Sequence, residues 1–127
     1  SHEPYIAVAR FIQLYLGMPE DRLDEYKTTH KGGYKALRVM ERQLQTTPYL
    51  VGEQYSIADI ATYPWIARHE WHKVDLAEFP NVKRWYDAVE SRPAVQRGVT
   101  VLADRRKPQM SDKDKETLFG SKQYEKR

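Results

Sequence analysis

The chain has 127 residues, enough for one compact domain with its own core. With 40% hydrophobic and 31% charged residues, no apolar run near the ~20 residues that cross a bilayer and no secretory signal pattern, it reads as a soluble globular protein with no membrane role. Cysteine is absent, which removes disulfides, zinc-thiolate sites and a cysteine nucleophile and fits a reducing, cytoplasmic compartment; the net charge of +3 comes wholly from residues 104–127, with 8 basic and 5 acidic side chains against 13 and 13 in residues 1–103, so no basic stripe for nucleic acid is expected.

From Tyr5 the apolar residues Ile6, Val8, Ala9, Phe11, Ile12, Leu14, Tyr15 and Leu16 are too continuous for one exposed face, so the spacing predicts a helix buried on two sides. Gly17-Met18-Pro19 ends it. A second helix starts near Glu20–Asp24, where acids suit the positive end of the helix dipole. Its stripe is Leu23, Tyr26, His30, Tyr34, Leu37, Met40 and Leu44, and Thr46-Thr47-Pro48 closes it. Tyr49-Leu50-Val51-Gly52 is a short apolar connector. No region shows sustained period-two alternation, so no sheet is expected.

Residues 55–60, Tyr-Ser-Ile-Ala-Asp-Ile, carry the strongest local signal. Ser56 can cap the amide of Asp59, and the Asp59 carboxylate can reach back to the amide of Ser56, while Tyr55 and Ile60 stand at the two positions of a hydrophobic staple. The helix that follows runs through Ala61, Trp65 and Ile66 toward Trp71, with a kink expected at Pro64. Phe79-Pro80 opens a further helix with Val82, Trp85, Tyr86 and Val89 as its buried stripe. Arg92-Pro93 breaks and restarts the chain. Val95, Val99 and Leu102 continue a last short helix, and the charged run after Pro108 reads as extended or disordered. The expected fold is an all-α bundle of five to six helices, with residues 1–103 as the domain and residues 104–127 as a charged C-terminal extension.

The segment Thr-Pro-Tyr-Leu-Val-Gly-Glu-Gln-Tyr-Ser-Ile-Ala-Asp-Ile over residues 47–60 resembles the C-terminal helical domain of glutathione transferases, where a connector of the type Leu-x-Gly leads into a Ser/Thr-x-x-Asp helix start. Phe-Pro-Asn-Val-Lys-Arg-Trp-Tyr and Ser-Arg-Pro-Ala-Val look like that family's last core helices. The resemblance covers residues 1 to about 100. Residues 1–60 look like the bacterial beta type, and residues 61–127, with Tyr-Pro-Trp and the Leu-Phe-Gly tail, look like the nu type. In that family a thioredoxin-like N-terminal domain supplies the catalytic residue and most of the glutathione site, and nothing in this segment resembles it.

The resemblance implies a homodimeric enzyme that joins glutathione to hydrophobic electrophiles, or uses it to reduce disulfides or peroxides, with this segment inactive alone and no catalytic residue within it. It implies that His2 lies near the glutathione sulfur, where an imidazole can donate to a thiolate. Arg10, amid apolar neighbours on the first helix, needs an anionic partner if buried, and glutathione or a carboxylate across the dimer would serve. Tyr5 and Tyr15 on the same helix, and Trp65 and His69 further on, are candidates for the electrophile pocket, since flat side chains suit aromatic substrates. Plainer readings stand beside these: a frayed terminus for His2, a snorkelling side chain for Arg10 and core filling for Trp65. Ser56 and Asp59 read as structural. His69 and His72 do not share a helical face, so no metal site is expected. The rival reading is a non-catalytic assembly platform, as in similar domains of translation-factor and synthetase complexes.

Overall fold

The computed structural model describes residues 34–72, 74–105 and 111–120. The expected first helix, the start of the second and the candidates His2, Tyr5, Arg10 and Tyr15 lie outside these residues. The described residues form five α-helices and no strand: α1 (Tyr34–Leu44), α2 (Ile57–Ile66), α3 (Pro80–Glu90), α4 (Pro93–Thr100) and α5 (Asp112–Phe119). Short 3-10 turns stand at His69–His72, Leu76–Glu78 and Ala103–Arg105. The chain divides into two compact units, Ser1–Gln96 and Arg97–Arg127. Among the described residues no helix is long and apolar enough to cross a membrane.

In the first unit, α1 and α2 both pack on α3. The stripe Leu37, Met40 and Leu44 turns inward because residues three and four apart share a helix face. It meets Tyr63 and Ile66 from α2, Val74, Leu76 and Phe79 from the connecting turns, and Val82, Trp85 and Val89 from α3, the last three fully buried. Tyr34 packs edge-on to Phe79 with ring centroids 5.4 Å apart. The connector is a tight turn closed by reciprocal bonds between Tyr49 and Gly52, Tyr49 N to Gly52 O at 3.1 Å and Gly52 N to Tyr49 O at 3.3 Å. Gly52 stands at φ 125°, where a side chain strains the backbone although the space around its Cα is open.

The ends of α1 and α3 cap each other. Phe79 precedes α3 and has no side chain to bond its first amides. Glu41 of α1 supplies the acceptor instead. Its carboxylate takes the Asn81 amide at 3.0 Å, the Asn81 side-chain amide at 2.6 Å and the Val82 amide at 3.0 Å. In return Arg84 of α3 donates to the carbonyls of Leu44 at 2.8 Å and Thr47 at 3.2 Å, at the end of α1 where a cation suits the dipole. Burial pushes the Glu41 carboxyl up, but the bonds from Val82 and Asn81 and the charge of Arg84 hold it below its ordinary value.

Several expectations are corrected. Tyr55 packs edge-on to Tyr49, centroids 5.8 Å apart, with the Arg92 guanidinium 3.8 Å above its ring centre, while Ile60 keeps 54% of its surface exposed. The central helix ends at Ile66, two residues after Pro64, and does not continue to Trp71. Pro64 has no N–H to give the Ile60 carbonyl, so its final turn is already weakened. The helix expected through Leu102 stops at Thr100, and Leu102 turns left-handed at φ 55° with 58% of its surface exposed. In the second unit, the run expected to be extended contains α5. Ser111 caps it, accepting from the Asp114 amide at 3.2 Å, while Asp114 accepts from the Ser111 amide at 3.0 Å.

Replacing Glu41 with Ala leaves the first amides of α3 without their acceptor and should cost about 1–2 kcal/mol in urea unfolding. A cost within 0.3 kcal/mol of zero, an additivity-level effect, would show the cap to be idle. Gly52→Ala should lose roughly 1 kcal/mol through its positive φ alone, read as a lower urea midpoint with an unchanged slope.

Candidate functional site

The centre of the first unit is polar. Ser56, extended at φ −136° and ψ 176°, ends the connector and starts α2. Its hydroxyl accepts from the Ala58 amide at 3.2 Å and donates to Asp59 at 3.1 Å, and the two side chains close a capping box. The same Asp59 oxygen accepts from the Ser56 amide at 2.9 Å. The other oxygen leaves the local motif: it accepts from the Leu50 amide at 3.0 Å and from the Trp85 indole at 2.8 Å. Asp59 is 0% exposed, so one buried carboxylate ties the connector, the start of α2 and the middle of α3 together. Burial pushes its pKa up. The donors from Leu50, Trp85 and Ser56 outweigh that and hold it below the ordinary aspartate value. A buried indole N–H needs an acceptor, so the buried stripe of α3 carried a signal for the Trp85 contact, whereas nothing in the sequence marks the Leu50 amide.

A second polar cluster joins the far ends of α2 and α3. Tyr86 donates to Glu90 at 2.6 Å and Tyr63 reaches the same oxygen at 3.5 Å, the two rings stacked 5.6 Å apart. Burial and then the neighbouring Glu90 charge raise the Tyr63 pKa, and burial and the bond to Glu90 raise that of Tyr86. Both phenols therefore stay protonated donors at neutral pH, and neither is an activated nucleophile.

His69 stands beside this cluster. Its ring packs edge-on to Tyr86, centroids 5.9 Å apart, and its Nδ1 lies 3.0 Å from the Val74 carbonyl. Since a carbonyl only accepts, Nδ1 carries the proton in this contact. Trp65 is half-buried in the last turn of α2. His69 is thus brought to the α2–α3 seam, at the Tyr63–Tyr86–Glu90 cluster. Among the described residues there is no group of three or more His, Cys, Asp or Glu side chains that could hold a metal ion.

A family model of the glutathione S-transferase C-terminal domain matches residues 6–93. The disulfide-bond oxidoreductase YfcG of Escherichia coli K12 is 46% identical over 56 residues, which is 44% of this chain and 26% of that protein. A solved glutathione S-transferase from Pseudomonas fluorescens Pf-5 superposes with a TM-score of 0.63 at 59% identity, over 73% of this chain and 46% of the other. A glutathione transferase from Burkholderia graminis, solved with two glutathione molecules bound per subunit, superposes with a TM-score of 0.56 at 30% identity, over 76% of this chain and 42% of that one. The chain thus spans about a quarter of the curated relative and less than half of each solved one.

Asp59→Ala strands four donors, the buried Trp85 indole among them, and should cost about 3 kcal/mol, with Asp59→Asn close behind because its NH2 would face donors. The lowered Asp59 pKa adds stability that is whole above the ordinary value of 3.8 and is lost as pH falls through the lower native one. Acid unfolding followed by tryptophan fluorescence should therefore be flatter in Asp59→Asn than in the wild type below that value. Parallel acid limbs would remove the carboxylate from the account.

Proposed function

Because the chain belongs to the glutathione S-transferase C-terminal domain family, we propose that it is the helical half of a glutathione-dependent enzyme. The observation that carries this is the family match over residues 6–93, a span that includes the stretch organised by Ser56 and Asp59. The whole protein would use the glutathione thiolate as its nucleophile, either conjugating a hydrophobic electrophile or reducing a disulfide or peroxide. The kinship with YfcG supports the disulfide branch, and the glutathione-bound Burkholderia enzyme supports glutathione as the thiol.

In this reading residues 1–103 form the helical domain and residues 104–127 a charged extension. A thioredoxin-like domain holds most of the glutathione and stabilises the thiolate with preorganised donors. His2 and Arg10 reach glutathione from the helical side. Tyr5, Tyr15, Trp65 and His69 line the electrophile pocket, with His69 oriented by Val74 and Tyr86. Two helical halves meet in a two-fold homodimer in the cytoplasm. Ser56 and Asp59 hold the scaffold rather than the chemistry.

Two preparations test the proposal: the chain alone, and the chain joined to the N-terminal half of the Pseudomonas fluorescens relative. Each is assayed with glutathione and either chlorodinitrobenzene or a hydroxyethyl disulfide. The chain alone should give no turnover above the uncatalysed rate, and the joined protein should turn over at least one substrate. Turnover by the chain alone would defeat the division of labour. A folded, glutathione-binding chimera inert toward both substrates would defeat the enzymatic reading and favour an assembly platform.

A further inference from the structure

Away from the Asp59 network, an open cleft of about 400 Å3 is lined by Arg38, Glu41, Arg42, Gln45, Glu78 and Phe79. Arg38, Glu41 and Arg42 are spaced by three and four, so they share one face of α1, Gln45 follows directly after its last residue, and the 3-10 turn Leu76–Glu78 with Phe79 before α3 supplies the remainder. The charges in this cleft are not equally committed. Both Glu41 oxygens are occupied by donors from Asn81 and Val82. Glu78 gives one oxygen to the Tyr34 hydroxyl at 3.2 Å. Among the described residues the Arg38 and Arg42 guanidinium groups make no ion pair or hydrogen bond, and neither does the second Glu78 oxygen.

Two guanidinium forks one helical turn apart repel each other at this spacing, and although Arg42 in the last turn suits the α1 dipole, neither fork has a side-chain partner among the described residues. Their chemistry suits two carboxylates, each able to take a fork with two parallel bonds. The free Glu78 oxygen suits an ammonium. We propose that this cleft binds a small acidic α-amino acid, a molecule with two carboxylates and one ammonium. Arg38 and Arg42 hold the carboxylates, Gln45 is placed to bond whichever oxygen remains, and Glu78 selects the amine. The site uses residues other than those assigned to glutathione or the electrophile, so it stands or falls separately from the enzymatic reading.

The test is a nuclear magnetic resonance titration of the full isotopically labelled chain with L-glutamate, in parallel with glutarate, which has the two carboxylates without the ammonium, and with sodium chloride at matched ionic strength. L-Glutamate should give saturable shifts at the amides of Arg38, Arg42, Gln45 and Glu78. Glutarate should bind at least about fivefold more weakly, and Arg38→Gln with Arg42→Gln should weaken glutamate binding by about tenfold or more. Glu78→Gln should erase the preference for glutamate over glutarate. These side chains are exposed and outside the core, so the variants should keep the wild-type circular dichroism. The assignment is overturned by an absence of saturable shifts up to ~20 mM glutamate, a range that would still detect millimolar binding. Equal binding of glutamate and glutarate by the wild type, or unchanged affinity in the double variant, overturns it as well.

Discussion

The first unit is organised around one buried negative charge. Putting a carboxylate where no solvent reaches it is costly, and the cost is met here by hydrogen bonds rather than by a counter-ion. The Leu50 amide, the Ser56 amide and hydroxyl and the Trp85 indole all point at Asp59. All four donors are neutral groups fixed by their own elements. Asp59 can therefore keep its charge only when the connector, the start of α2 and the middle of α3 are all in place. That requirement turns a local helix cap into a check on the tertiary arrangement, because no two of the elements satisfy the carboxylate without the third.

The α1–α3 seam uses the same chemistry with opposite signs at its two contacts. Glu41 meets the amides that begin α3, and Arg84 meets the carbonyls that end α1. Each charge sits at the helix end whose dipole favours it, so the pair stabilises two helix termini as well as attracting one another. Together with Asp59, this gives the contacts of α3 with α1 and α2 a polar lock beside the apolar stripe. The far end of α3 carries the Tyr63–Tyr86–Glu90 cluster, and there His69 is fixed by a bond to Val74. The Val74 carbonyl and the Tyr86 ring of α3 together orient a histidine on a short 3-10 turn, a precondition for any role at a pocket wall.

Much of this arrangement was readable before any coordinates. The stripes of α1 and α3 follow from residues spaced by three and four, because apolar periodicity is a property of the chain alone. The Ser56–Asp59 pair was readable since both members of a capping box lie within one turn. The box at Ser111–Asp114 has the same spacing, but it opens a charged run with little apolar periodicity; its strength lies in local hydrogen bonds, which composition does not display. The ends of α2 and α4 were misplaced for a related reason. Periodicity tells where a helix would bury its residues but not where the backbone stops paying hydrogen bonds, as at Pro64 or at the left-handed Leu102.

The sequence by itself determined the all-helical class, the buried stripes and the kinship carried by residues 47–60, since each rests on residues near one another in the chain. Only the tertiary structure decided what those residues bond to across distance. Trp85 lies 26 positions from Asp59 and Asn81 lies 40 from Glu41, and no local pattern selects one such partner over another. Those pairings arise when packed helices bring unsatisfied donors within reach of a single acceptor, and a buried polar group left unpaired there is too costly to persist.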